Sequence, residues 1–103
     1  MGKNRALKTL GKIIGNVILH KMLAKYTSKP ESITHLMNEE NEYRVTAISN
    51  AKKFNWNEKD KQEIKTIAIG FFKNKSAGKY PDVNLPLEEA KILIDKEIKD
   101  LGL

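Results

Sequence analysis

The stretch RALKTLGKIIGNVILHKMLAKY, Arg5 to Tyr26, decides the architecture. Leu7, Leu10, Ile14 and Val17 recur at steps of three and four, with Ile13 beside them, which predicts an amphipathic helix over about residues 4–26. At about 100° per residue this stripe lies opposite Arg5, Lys8 and Lys12. After Gly15 the apolar side moves. Ile18, Leu19, Met22, Leu23 and Tyr26 lie on nearly the other side, and Lys21 and Lys25 take the position of the first stripe. A surface helix with one buried face does not change sides. Either the helix bends near Gly15–Asn16 or its halves pack against different partners, and the second stripe is either further core or a surface for another chain. Gly11 and Gly15 form a GxxxG pair at the edge of the second stripe. In a helix carrying lysines, that spacing reads as a close crossing by another helix of the same fold rather than as a membrane dimer motif.

The same stretch holds the charge asymmetry. The net charge is +6, yet Lys3, Arg5, Lys8, Lys12, Lys21, Lys25 and Lys29 precede the first acid, Glu31. Residues 31–103 contain 12 Lys/Arg against 13 Asp/Glu and sum to −1, so the basicity belongs to the N-terminal segment. A block of one sign bears on partners rather than on fold.

Beyond Tyr26, Ser28-Lys29-Pro30-Glu31 stops one helix and starts another, with proline and an acid in the first turn. Ile33, Leu36 and Met37 give a short apolar face. The run NEENE (Asn38–Glu42) interrupts it, and Tyr43, Ala47, Ile48, Ala51 and Phe54 resume it. A short helix followed by a longer one is the expected result. NWNEKD marks the next boundary, with Asn57 as N-cap and Asp60 three residues on in a weak capping box. Ile64, Ile67, Ala68, Phe71 and Phe72 follow at helical spacing. Lys73 to Leu85, with Gly78 and Pro81, reads as a loop of about a dozen residues. Pro86 opens a last helix striped by Leu87, Ala90, Ile94, Ile98 and Leu101.

No alternating run is long enough for a strand and no repeat is visible. The expected fold is therefore all-α: a single domain over residues 1–103, a compact bundle of four to five helices with no sheet. Its core draws on Leu10, Ile14, Val17, Ile48, Ile64, Ile67, Phe71, Ile94 and Ile98, with Trp56 packed near the turn into the helix after Asn57.

Chemical motifs are scarce. Gly70 and Gly78-Lys79 lack P-loop spacing, and no dinucleotide fingerprint occurs. Glu31, His35 and Glu39 are spaced four apart, but two histidines on charged helices read as surface residues before metal ligands. Pro81-Asp82 with Glu89-Ala90-Lys91 imitates a metal-dependent nuclease pattern. However, Glu89 and Lys91 sit two apart on a helix and diverge by about 200°. Ser28, Ser32, Ser49 and Ser76 have no nucleophile context. The chain has no cysteine, which removes thiol catalysis and thiolate metal sites and fits a cytoplasmic setting. No cofactor is indicated, and neither is an ordinary hydrolytic or redox enzyme. Lys12 interrupts the apolar stretch, so a secretory signal fits poorly and no transmembrane run exists.

What remains is charge. Arg5, Lys8 and Lys12 form a ridge suited to a phosphate backbone. Lys73, Lys75 and Lys79 form a second cluster, with Tyr80 beside it to stack on a base. The expected function is contact with nucleic acid, RNA or DNA, through phosphates and without sequence preference, as in a ribonucleoprotein-associated protein. The alternative is an adaptor that uses the N-terminal helix to dimerise or to dock a protein partner. Membrane contact ranks below both, because the apolar stripe changes sides.

Overall fold

The computed structural model describes residues 3–26, 52–81 and 84–101, together with Val45 and Ser49. Among the described residues there are three helices and no strand: α1 (Lys3–Tyr26), α2 (Glu58–Lys79) and α3 (Leu87–Asp100).

The helix ends follow from local chemistry. At the start of α2, Asn57 Oδ1 accepts from the Asp60 N–H at 2.8 Å, and Asp60 Oδ2 accepts from the Asn57 N–H at 3.2 Å, completing the capping box. The helix closes at Tyr80, whose N–H donates to the Ser76 carbonyl at 3.0 Å. Helix α3 begins after Pro86 without a side-chain cap, and Glu88 and Glu89 in its first turn face the positive end of the helix dipole.

Helices α1 and α2 run parallel. Lys3 meets Asp60, Gly11 meets Ile64 and Ile67, Gly15 meets Ala68 and Phe71, and Asn16 meets Lys75. The crossing is close because the glycines leave room. A Cβ on Gly11 would lie 2.6 Å from Ile67 Cγ2, and one on Gly15 would lie 2.7 Å from the Ala68 carbonyl oxygen. The GxxxG pair is thus a helix crossing within the fold. Helix α3 returns antiparallel, pairing Lys25 with Glu89 and Lys21 with Glu97 on α1, and Lys65 of α2 with Asp95.

Both stripes of α1 are interior. Leu7, Leu10, Ile14 and Val17 of the first are buried, and so are Ile18, Leu19, Met22 and Leu23 of the second; only Tyr26 stands partly open. They join Ile64, Ala68 and Phe72 of α2 and Ala90, Ile94 and Ile98 of α3 in one cluster. Each such large side chain contributes roughly 1.5–3 kcal/mol relative to exposure. Helix α1 is uninterrupted through Gly15, so the change of side comes from packing on two fronts.

Three expectations are corrected. The described residues form three helices rather than four to five, and α1 supplies two apolar faces to their core. The segments expected between Pro30 and Ala51 lie outside the described residues apart from Val45 and Ser49, as does Ile48, while Lys52–Phe54 form a turn and bend. Of the loop expected over Lys73–Leu85, residues Lys73–Lys79 are instead the last two turns of α2, closed by the Tyr80 cap and with Lys75 reaching across to Asn16, while Tyr80, Pro81, Asn84 and Leu85 are non-helical. Ile67 and Phe71, expected in the core, are half-buried where they press on Gly11 and Gly15, and Trp56 packs half-buried against the cluster.

Candidate nucleic-acid interface

Arg5, Lys8 and Lys12 are exposed along α1, and no acid occurs in that helix. At 1.5 Å per residue, Lys8 stands about 4.5 Å beyond Arg5 along the axis, and Lys12 about 6 Å beyond Lys8. The next residue on the same side is Asn16, only 5% exposed. Its Oδ1 accepts a 2.9 Å hydrogen bond from Lys75 Nζ, and that ammonium lies 5.3 Å from the Phe71 ring centroid. Helix α2 therefore sets a fourth positive charge one turn beyond Lys12, in line with the other three.

The second cluster does not converge as a unit. Because Lys73–Lys79 is helical, Lys79 projects within about 40° of Lys75, whereas Lys73 points about 160° away. Both are exposed. Tyr80 packs half-buried against the core. The Ser76 hydroxyl donates to the Lys73 carbonyl at 3.1 Å.

Among the described residues, no carboxylate pairs with Arg5, Lys8, Lys12, Lys73 or Lys79. Other lysines are engaged. Lys3 sits 2.8 Å from Asp60, and together with the Asn57 N–H it holds that carboxyl below the usual carboxylate range. Lys25 Nζ donates to Glu89 Oε1 at 2.8 Å, and the Tyr26 hydroxyl donates to the same oxygen at 3.0 Å. The Lys25 bond, followed by the tyrosine's, lowers the Glu89 pKa, and the same contact raises that of Lys25. Lys21 lies 3.5 Å from Glu97, a carboxylate on a residue 2% exposed. The Lys25 and Lys21 pairs fasten α3 to α1, and the Lys3 pair fastens α2 to α1.

Among the described residues no group of three or more His, Asp or Glu is placed to hold an ion. Glu31, His35 and Glu39 lie outside the described residues, as does Asp82 of the nuclease-like pattern. Glu89 of that pattern is committed to Lys25 and Tyr26, and Lys91 lies 3.4 Å from Glu88. A groove of about 590 Å³ between α2 and α3 is bordered by Lys61, Lys65, Lys96 and Lys99, but Glu58 and Asp95 enter it and pair with the first two. No helix among the described residues is long and apolar enough to cross a membrane.

One cluster escaped the sequence reading. In K-K-F-N-W (Lys52–Trp56), Phe54 and Trp56 are both half-exposed, with ring centroids 5.7 Å apart at an interplanar angle of 64°. Lys3 Nζ lies 5.6 Å from the Trp56 centroid, and Lys52 and Lys53 are exposed beside the pair. Two lysines followed closely by two aromatic residues were the available signal. The adaptor alternative, in contrast, rested on the second stripe of α1, and Ile18, Leu19, Met22 and Leu23 are all within the core. Comparison of the chain with protein families, with curated proteins and with solved structures gave no match.

Proposed function

We propose that this chain binds nucleic acid through its phosphates, without sequence preference and in the cytoplasm, using the Arg5–Lys8–Lys12 ridge extended by Lys75. One observation carries the reading: Arg5, Lys8 and Lys12 stand exposed on a helix without an acid and pair with no described carboxylate, and Asn16 holds the Lys75 ammonium one turn beyond Lys12. Polyanion binding of this kind is driven by counterion release, so salt dependence is its signature. Lys79 extends the same side of α2, while Lys73 and Tyr80 fall outside the footprint.

The test is fluorescence anisotropy against short single- and double-stranded RNA and DNA across a salt series. About four phosphate contacts give a log–log salt slope near −3.6 on duplex DNA, and nearer −2.8 on single strands. Changing Arg5, Lys8 and Lys12 together to Gln is expected to remove most of that slope while leaving the melting temperature within a few degrees. Undiminished binding by the triple variant would remove the ridge from the interface.

A further inference from the structure

We infer that the nucleic acid bound is double-stranded, DNA or RNA, and that the Arg5–Lys8–Lys12 side of α1 lies against its outer backbone. This rests on the phosphate-binding reading above and names its substrate class.

The first argument is chemical. From Lys3 to Lys12 the exposed residues of α1 are Asn4, Arg5, Lys8, Thr9 and Lys12. They are cations and hydrogen-bond donors, with no acid and no aromatic ring among them. Proteins that hold single strands without sequence preference combine their cations with rings on which bases stack. The rings of Phe54 and Trp56 stand beside Lys3, which projects about 140–180° around α1 from the ridge. A duplex keeps its bases stacked inside and turns phosphates and sugars outward. Cations together with amide and hydroxyl donors are the groups that bind those.

The second argument is geometric. Arg5, Lys8 and Lys12 project within about 60° of one another on a helix uninterrupted from Lys3 to Tyr26. They cover about 10.5 Å along its axis, and Lys75 stands one turn further on, bonded to Asn16. On the opposite side Leu7, Leu10 and Ile14 are buried, and Gly11 and Gly15 seat α1 closely against α2. The line of charge is therefore straight and fixed before anything binds. A duplex is stiff over about 150 base pairs and meets such a line already straight. A single strand must give up conformational freedom to match it. Counterion release adds to the difference by about 0.2 ion per contact. Three or four contacts then favour the duplex by about four- to sixfold on going from 1 M to 0.1 M salt.

The full chain is titrated, by anisotropy across a salt series, with labelled DNA and RNA duplexes and with oligothymidylate and oligouridylate of equal length. At least one duplex is expected to bind more tightly than either single strand, by about fourfold or more at 0.1 M salt. Two variants separate the ridge from net charge, each adding one acid at an exposed residue. Thr9→Glu sets a carboxylate about 40° from Arg5, on the ridge side, whereas Gln62→Glu sets one on α2 at its groove with α3. Thr9→Glu should weaken duplex binding about eightfold or more at 0.1 M salt, the equivalent of one lost contact, and Gln62→Glu less than about twofold. Thermal unfolding followed by circular dichroism checks that both variants fold.

Equal or tighter binding to single strands, still weakened by Thr9→Glu, would overturn the duplex assignment while the phosphate ridge stands. Equal weakening by the two acidic variants would make net charge the cause and overturn the placement of the duplex on α1. An absence of binding by every nucleic acid would remove the phosphate-binding reading as well.

Discussion

The α1–α2 crossing makes a prediction in which two glycines of one helical bundle respond to alanine with opposite sign. Alanine at Gly15 sets a Cβ 2.7 Å from the Ala68 carbonyl oxygen and 3.2 Å from Phe71 Cβ and Cδ1. The first obstacle is backbone, so relief requires α2 to move by several tenths of an ångström along its whole contact with α1. Overpacking of this kind costs about 1–3 kcal/mol, and the rigid obstacle argues for the upper part of that range. The gain in helix propensity offsets about 1 kcal/mol of it. The net expectation is destabilisation by about 1–2 kcal/mol. Gly70 sits in mid-α2 with nothing within 4 Å of the added methyl, so Gly70→Ala keeps only the propensity gain, about 0.5–1 kcal/mol of stabilisation. In a domain of this size the former corresponds to a fall in Tm of about 4–16 °C and the latter to a rise of about 2–8 °C. Urea unfolding followed by far-UV circular dichroism measures both, with unchanged m-values as the check that the unfolded states match. If Gly15→Ala stabilised the protein as Gly70→Ala does, the close crossing would be refuted, and with it the parallel pairing built on it.

Two further stability predictions concern polar contacts. Asn57→Ala removes half of the capping box and should cost about 1 kcal/mol in urea unfolding, whereas Asn55→Ala, on an exposed residue outside the cap, should be nearly silent. The carboxyls of Glu89 and Asp60 both have lowered folded pKa values, so the stability they confer is complete above the ordinary carboxylate range near pH 4 and is lost as pH falls through those lower values. The raised pKa of Lys25 acts at the other end, its contribution being lost only as pH rises through that value. Glu89→Gln should therefore flatten both limbs of a plot of urea midpoint against pH, and an unaltered acid limb would show that the Lys25–Tyr26–Glu89 cluster does not bear on stability.

Much of the fold was legible because its signals are periodic. The two stripes of α1, the Asn57 cap and the Leu87–Leu101 stripe each repeat a local rule, and each stands where the rule puts it. The end of α2 was not legible, since Lys73–Lys79 contains no apolar residue larger than Ala77 and includes Gly78. There the Tyr80 cap closes the helix, and Lys75 bonds Asn16, 59 residues away in sequence. Whether the second stripe of α1 faced core or a partner was equally beyond periodicity, which orients a face without naming what covers it. At the site, the exposure of Arg5, Lys8 and Lys12 followed from their place opposite Leu7, Leu10 and Ile14. The division of Lys73 from Lys75 and Lys79 depended on the helix that the sequence had concealed. Tyr80 and Trp56 both pack half-buried against the core, and Phe54, in the bend before the cap, keeps part of its surface in water.

The parallel pairing of α1 with α2 also sets an order of events during synthesis. The partners of Gly11 and Gly15 lie about fifty residues further along the chain. At ribosomal speeds of about 5–20 residues per second, the N-terminal helix waits roughly 3–10 s before its groove-mate has been made. Helices α2 and α3 are neighbours in sequence and can pair almost as soon as they emerge, so α1 is first to appear and last to be housed. Through that interval it carries two greasy sides and five positive charges between Arg5 and Lys25 without a single acid. Mutual repulsion between nascent copies then acts to keep those sides apart, so the basic residues proposed here as a binding ridge would also guard the unfinished chain against aggregation.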